Sequence, residues 1–136
     1  MSTASTPKGR VDLVERVYEE GWLDTELDEI LPFLDPGIDL INPDDAVVGG
    51  VRHGIDEVTE AWRGLITTLS NTRHDLLGLE GHGDVVIADV QFSALVRDSE
   101  LRVEHEEVHT WTFRNGLVVS LEWGRDAEAA RRAAGF

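Results

Sequence analysis

The chain has 136 residues, 41% of them hydrophobic, which suits one domain around a single core. Its 27 acidic residues against 12 basic ones give a net charge of −15, which argues against nucleic acid and anionic membranes as partners, since both need basic surface. There is no cysteine, so disulfides and thiolate chemistry are excluded, and no apolar run approaches a membrane span.

The opening MSTASTPKGR holds no apolar run and does not read as a signal peptide. A cytoplasmic protein is expected, with residues 1–9 as a disordered polar tail and 10–136 as one domain. Val14, Val17, Tyr18 and Trp22 recur at helical spacing and predict a helix over 10–22. Leu27, Ile30, Leu31 and Leu34 repeat the pattern behind Asp24, a good N-cap, until Pro36-Gly37 ends the helix. "IDLIN" predicts a short strand stopped by Pro43. Val58, Ala61, Trp62, Leu65, Ile66 and Leu69 predict an amphipathic helix over about 54–70. From residue 72 the pattern is β: "HDLLGLE" weakly, then "VVIADVQFSALV", "LRVEHEEVHTWTF" and "LVVSLEW", before a short closing helix in "RDAEAARRAAGF". This order predicts an α+β fold with helices on one face of a curved antiparallel sheet.

Alternation fixes the inner face of that sheet. In strand 85–96 the set Val86, Ala88, Val90, Phe92, Ala94 and Val96 is wholly apolar and should face the helices. A turn near Asp98-Ser99 that pairs 97 with 100 sets 92 opposite 105, 90 opposite 107 and 88 opposite 109. Cross-strand partners share a face, so His105, Glu107 and His109 point inward with Trp111 and Phe113. The "FRNGLV" hairpin allows two registers. A two-residue Asn-Gly turn would put Ser120 and Glu122 inside, whereas a three-residue loop with Gly116 left-handed would put Val119, Leu121 and Trp123 inside. The second register buries the apolar set and is the expected one.

The inner face is therefore mostly apolar with a small polar cluster, the usual make-up of a ligand pocket. Glu107 is an inward carboxylate that either pairs with a neighbouring histidine or is solvated at an open mouth, as His105 also could be. Burial would lower the His109 pKa and Glu107 would raise it. A single ion held by His105, Glu107 and His109 is not expected, because positions 105 and 109 lie roughly 13 Å apart by the strand rise. No metal or other cofactor is expected. His53 reads as a loop residue, and His74 and His82 fall on no pattern that gives them a role.

The succession of "VERVYEEGWLDTELDEILPFLDPGIDLINP", "GGVRHGIDEVTEAW" and "VHTWTFRNGLVVSLEWGRDAEAARRAAG" resembles the SnoaL-like superfamily over about residues 10–136. That superfamily has the cone-shaped α+β barrel of nuclear transport factor 2, a curved sheet wrapped around N-terminal helices with an internal pocket. It includes ketosteroid isomerases, polyketide cyclases, limonene epoxide hydrolases and scytalone dehydratases. The resemblance sets Tyr18 at the oxyanion-binding tyrosine of the isomerases, His109 at their protonated aspartic acid, and Asn42 at their general-base aspartate. An amide cannot take up that proton. Asn42 also matches the water-holding asparagine of the epoxide hydrolases, but their arginine and two aspartates fall at Val90, Phe92 and Trp123.

The resemblance implies a pocket walled by Leu40, Trp62, Phe92, Ala94, His105, Trp111, Leu121 and Trp123. Its implied chemistry is cofactor-free proton transfer on a small hydrophobic polyketide, steroid or terpenoid. His109, tuned by Glu107, would be the acid–base group, and Tyr18 and Asn42 would hold a substrate oxygen. Tyr18 could equally be core, and Asn42 could equally tie down the Pro43 loop. The rivals are a non-catalytic ligand-binding module and an assembly domain whose pocket is self-filled. A homodimer is implied through the outer sheet face, which carries Val85, Ile87, Val108 and Val118.

Overall fold

The computed structural model describes residues 3–43 and 49–136. Helix α1 (Pro7–Glu19) starts earlier than the apolar spacing indicates, because Thr6 caps it by accepting from the Gly9 N–H at 3.0 Å and Pro7 fits its first turn. Residues 3–9 are thus not the expected tail: Thr3–Ser5 form a 3-10 turn, Ala4 is fully buried, and the Arg10 guanidinium donates to the carbonyls of Ala4 and Gly83. Residues 1 and 2 lie outside the described residues. The helix closes over Gly21 at φ +67°, where the Trp22 N–H returns to the Val17 carbonyl.

The second predicted helix survives as one turn, α2 (Leu27–Ile30), and a 3-10 turn over Leu31–Phe33. Pro32 lacks the N–H that would continue it. Strand β1 (Leu34–Asn42) then runs through Pro36-Gly37, which sits where the register with its neighbour shifts between Leu34 and Asp39. A proline without a donor is tolerated at such an irregularity. The short strand β2 (Gly50–His53) pairs with β1 and takes in His53, expected in a loop. Helix α3 (Ile55–Thr68) follows the predicted stripe, with Asp56 and Glu57 in its first turn.

The remaining strands are β3 (Leu69–His82), β4 (Val85–Val96), β5 (Arg102–Arg114) and β6 (Leu117–Gly124). With β1 and β2 they form one curved, unclosed sheet in the order β2-β1-β6-β5-β4-β3. All neighbours are antiparallel except β1 and β6, so the sheet is mixed rather than purely antiparallel. The fold is the cone-shaped α+β class, with α1, α3 and the inner sheet face enclosing the core.

Strand β4 pairs with β5 in the expected register, Phe92 with His105, Val90 with Glu107, Ala88 with His109. The next hairpin meets the expected burial in part and by another route: Leu121 is buried and Trp123 half-buried, but Val118 is buried in place of Val119. Its turn is the two-residue one, Asn115 and Gly116 both at positive φ, and Arg114 pairs with Leu117. Phe113 then faces Val118, which is buried in the core and not on the outer face. A bulge at Val119 restores the parity, so Leu121 and Trp123 pair with Trp111 and His109 while Glu122 is exposed. Helix α4 (Ala127–Ala133) lies on the outer face, tied down by Arg131 to Asp89 at 2.8 Å and Glu80 at 3.1 Å. Ile87 and Val108, expected as outer apolar surface, are buried there.

Candidate active site

A cavity of about 300 Å³ opens between α3 and the inner face of the sheet. Leu40, Trp62, Phe92, Leu121 and Trp123 supply apolar wall. Asn42, His105, Glu107 and His109 lie on the same lining. Two expected wall residues and one expected oxygen-holding group do not reach it: Ala94 packs with Leu69 and Phe92, and Trp111 and Tyr18 lie behind His109. Alternation predicted the face of these residues but not their depth, and a His109 side chain fills the space in front of the Tyr18 hydroxyl.

The polar groups form one continuous chain. Trp111 Nε1–H donates to the Tyr18 hydroxyl at 2.9 Å, and that hydroxyl lies 2.6 Å from His109 Nδ1. His109 Nε2 lies 2.8 Å from Glu107 Oε1, and His105 Nε2 lies 2.6 Å from Glu107 Oε2. One proton assignment satisfies every atom. Tyr18 accepts from Trp111 and donates to Nδ1, so His109 is neutral and carries its proton on Nε2, which donates to the carboxylate. Burial pushes the His109 pKa below 6.5, against the bond and charge of Glu107, which raise it. Burial would raise the Glu107 pKa, but the bond and charge of His109, the charge of His74 and the bond of His105 together hold it below its ordinary 4.5. Burial lifts the Tyr18 hydroxyl well above 10.0; the Trp111 bond opposes this, and the charges of Glu107 and Asp24 add to it.

This chain revises the expected roles of two residues. Both ring nitrogens of His109 are engaged inside the protein, and the Tyr18 hydroxyl faces His109 rather than the cavity. His74, which no sequence pattern singled out, also brings a ring nitrogen to the cavity, as His105 does through its Nδ1. It stands on β3 opposite Phe92, so it shares the inner face, and it lines the cavity. Its Nδ1 lies 2.6 Å from Asp24 Oδ1, and its backbone N–H donates to Asp24 Oδ2 at 3.2 Å. Both side chains are nearly buried. Asp24 does not cap α2, whose N-cap is Glu26. Among the described residues, nothing hydrogen-bonds His74 Nε2, which is left for the cavity. One donor atom from each of His74, Glu107 and His109 lies within 4.8 Å of the others.

Arg125 marks the rim, its guanidinium 5.6 Å above the Trp123 ring centroid, and His105 stacks on the other part of that wall at 7° to Trp123. Among the described residues, no helix is long and apolar enough to cross a membrane.

Residues 14–121 match the SnoaL-like domain family. No curated protein matches the chain. Among solved structures, an NTF2-like protein of unknown function from Burkholderia pseudomallei K96243 is similar, with 24% identity, a TM-score of 0.76 and 97% of each chain covered. TerC, crystallised with polyporic acid, is 20% identical with a TM-score of 0.73, over 96% of this chain and 100% of its own. A protein taken to be a SnoaL-like polyketide cyclase, from Jannaschia sp. CCS1, is 20% identical with a TM-score of 0.73, over 90% of this chain and 89% of its own. At these identities the likeness is one of fold.

Proposed function

We propose that this chain, which belongs to the SnoaL-like domain family, is an enzyme that moves a proton on a small, mostly apolar molecule such as a polyketide, steroid or terpenoid. One observation carries the reading: His74 is held through Nδ1 by the nearly buried Asp24 carboxylate, and its Nε2 is left for the cavity. That is the arrangement of a histidine general base. Asp24 fixes the tautomer with the proton on Nδ1, so that Nε2 holds the lone pair, and it stabilises the imidazolium formed when Nε2 takes a proton. Glu107, also anionic, adds to that stabilisation.

The proton leaves a carbon of the substrate for His74 Nε2, and the charge left behind gathers on a substrate oxygen. The Asn42 amide, on the same lining, would donate to that oxygen. His109 and Glu107 keep the roles of a positioned polar wall, backed by Tyr18. The apolar walls hold the substrate and exclude water, which strengthens each polar contact. The outcome of such a step is isomerisation, cyclisation or dehydration, according to what the substrate carries. TerC, which has a similar fold and was crystallised with polyporic acid, supports a small organic ligand for this chain.

The internal satisfaction of His109 and Glu107 favours a second reading, a binding module without turnover. Deuterium uptake separates the two. Small ketones with polyketide, steroid or terpenoid skeletons are incubated in D2O with the protein and a chelator, and carbon-bound deuterium is followed by mass spectrometry. Exchange with the wild type that disappears in His74→Gln supports the enzyme. Binding of these ketones without exchange supports the module.

A further inference from the structure

We infer that His74, Glu107 and His109 form a transition-metal site that takes one Zn2+ ion per chain. This goes beyond the proton-transfer reading and does not depend on it, since His74 Nε2 serves either a proton or a metal ion.

Two histidines and one carboxylate are a ligand set for zinc and its transition-metal neighbours, whereas magnesium and calcium favour oxygen alone. The three donor atoms lie within 4.8 Å of one another, and two of them, His109 Nε2 and Glu107 Oε1, already lie 2.8 Å apart. Ligand atoms about 2 Å from a common ion stand a little over 3 Å apart, so a modest inward movement of His74 completes the set. Strand spacing excluded His105 as a partner to both Glu107 and His109. The third ligand comes instead from β3, two strands away from β5.

The stronger argument is the outer layer. Metal-binding histidines are almost always oriented by a second group on the far ring nitrogen, and ligating carboxylates by a further hydrogen bond. Each of the three has such a partner: Asp24 at 2.6 Å behind His74, the Tyr18 hydroxyl at 2.6 Å behind His109, and His105 at 2.6 Å on the second oxygen of Glu107. The set is walled by protein on one side and opens to the cavity on the other, which leaves a coordination position for water or a ligand.

Equilibrium dialysis of the chelator-treated full chain against Zn2+, with no substrate present, tests the site. One ion per chain is expected for the wild type. His74→Ala should weaken binding at least tenfold, and Asp24→Asn, which removes only the outer partner, by about 10–100-fold. Co2+ in place of Zn2+ should give a visible absorption band in the wild type that both variants reach only at higher Co2+ concentration. Circular dichroism confirms that each variant is folded, and Asp24→Asn and Glu107→Gln serve where His74→Ala is not. Absence of saturable Zn2+ binding by the folded wild type overturns the inference, as does one ion bound equally well by His74→Ala and Glu107→Gln. The deuterium exchange above, run with chelator, tests the proton-transfer reading separately.

Discussion

Tyr18→Phe isolates the energetics of the buried polar chain, because it removes one oxygen and leaves the ring. That oxygen accepts from Trp111 at 2.9 Å and lies 2.6 Å from His109 Nδ1, and all three side chains are buried. The substitution therefore strands two polar atoms, the Trp111 N–H and the His109 Nδ1. A buried group left without its partner costs about 1–3 kcal/mol, so the sum is about 2–5 kcal/mol after some relaxation. That is a large part of the roughly 5–15 kcal/mol that holds a domain together. At roughly 4 °C per kcal/mol for a chain of this size, Tm should fall by about 8–20 °C. Urea denaturation followed by tryptophan fluorescence, with a parallel thermal scan, measures both quantities. A Tyr18→Phe protein within about 0.5 kcal/mol of the wild type would refute the hydrogen-bonded chain as the basis of this wall.

Stability should fall as pH drops below about 6.5, since burial holds His109 below that value and the unfolded chain takes up a proton that the fold refuses. It should fall again through the depressed Glu107 pKa, and above pH 10 the unfolded chain ionises a tyrosine that the fold keeps neutral. Urea midpoints that stay level from about pH 8 to pH 5 would contradict the His109 effect, and midpoints level from about pH 5 to pH 3 the Glu107 effect. Gly81→Ala would set a Cβ against Val11 Cγ2 at less than any normal contact, and β-branched Val11 on α1 has little room to turn. A loss of about 1–3 kcal/mol is expected in the same urea assay, and unchanged stability would count against the packing of α1 on β3. A homodimer is the proposed assembly, through what α4 leaves open of the outer sheet face. Sedimentation at micromolar concentration should give twice the 15.1 kDa chain mass, and a monomer there would refute it.

The sequence was most legible where one local rule decided the outcome. The strict alternation of 86–96 and a short turn after it were enough to align Phe92 with His105 and Ala88 with His109. The stripe from Val58 to Leu65 was enough for α3. It was less legible where two local rules competed. Asn115-Gly116 does make its two-residue turn, and the inward facing of Leu121 and Trp123 is recovered only by a bulge at Val119, which no residue type there announces. Leu27 to Leu34 has a helical spacing, but Pro32 stops it and the chain turns into strand.

The site itself was half visible. The inward His105-x-Glu107-x-His109 row follows from alternation and the register of the β4–β5 turn. The pairing of Asp24 with His74 does not, because 50 residues separate them and Asp24 has a plausible local use as a helix cap. The one sequence signal was the register of β3: pairing His74 with the inward Phe92 would have set it inside. Irregular pairing between Ser70 and Arg73 and between Leu76 and Gly78 blurred the alternation that would have shown it.

The central claim is that His74, oriented by Asp24, is the proton-accepting group of the cavity. It is tested most directly by turnover of one exchanging substrate by His74→Gln and His109→Gln beside the wild type. A positioned general base contributes about 10²–10⁴-fold in rate, so His74→Gln should lose that much while substrate binding stays close to wild type. His109→Gln, which alters a wall group whose nitrogens are already engaged, should lose less. Wild-type turnover by His74→Gln would contradict the account, as would a larger loss in His109→Gln than in His74→Gln.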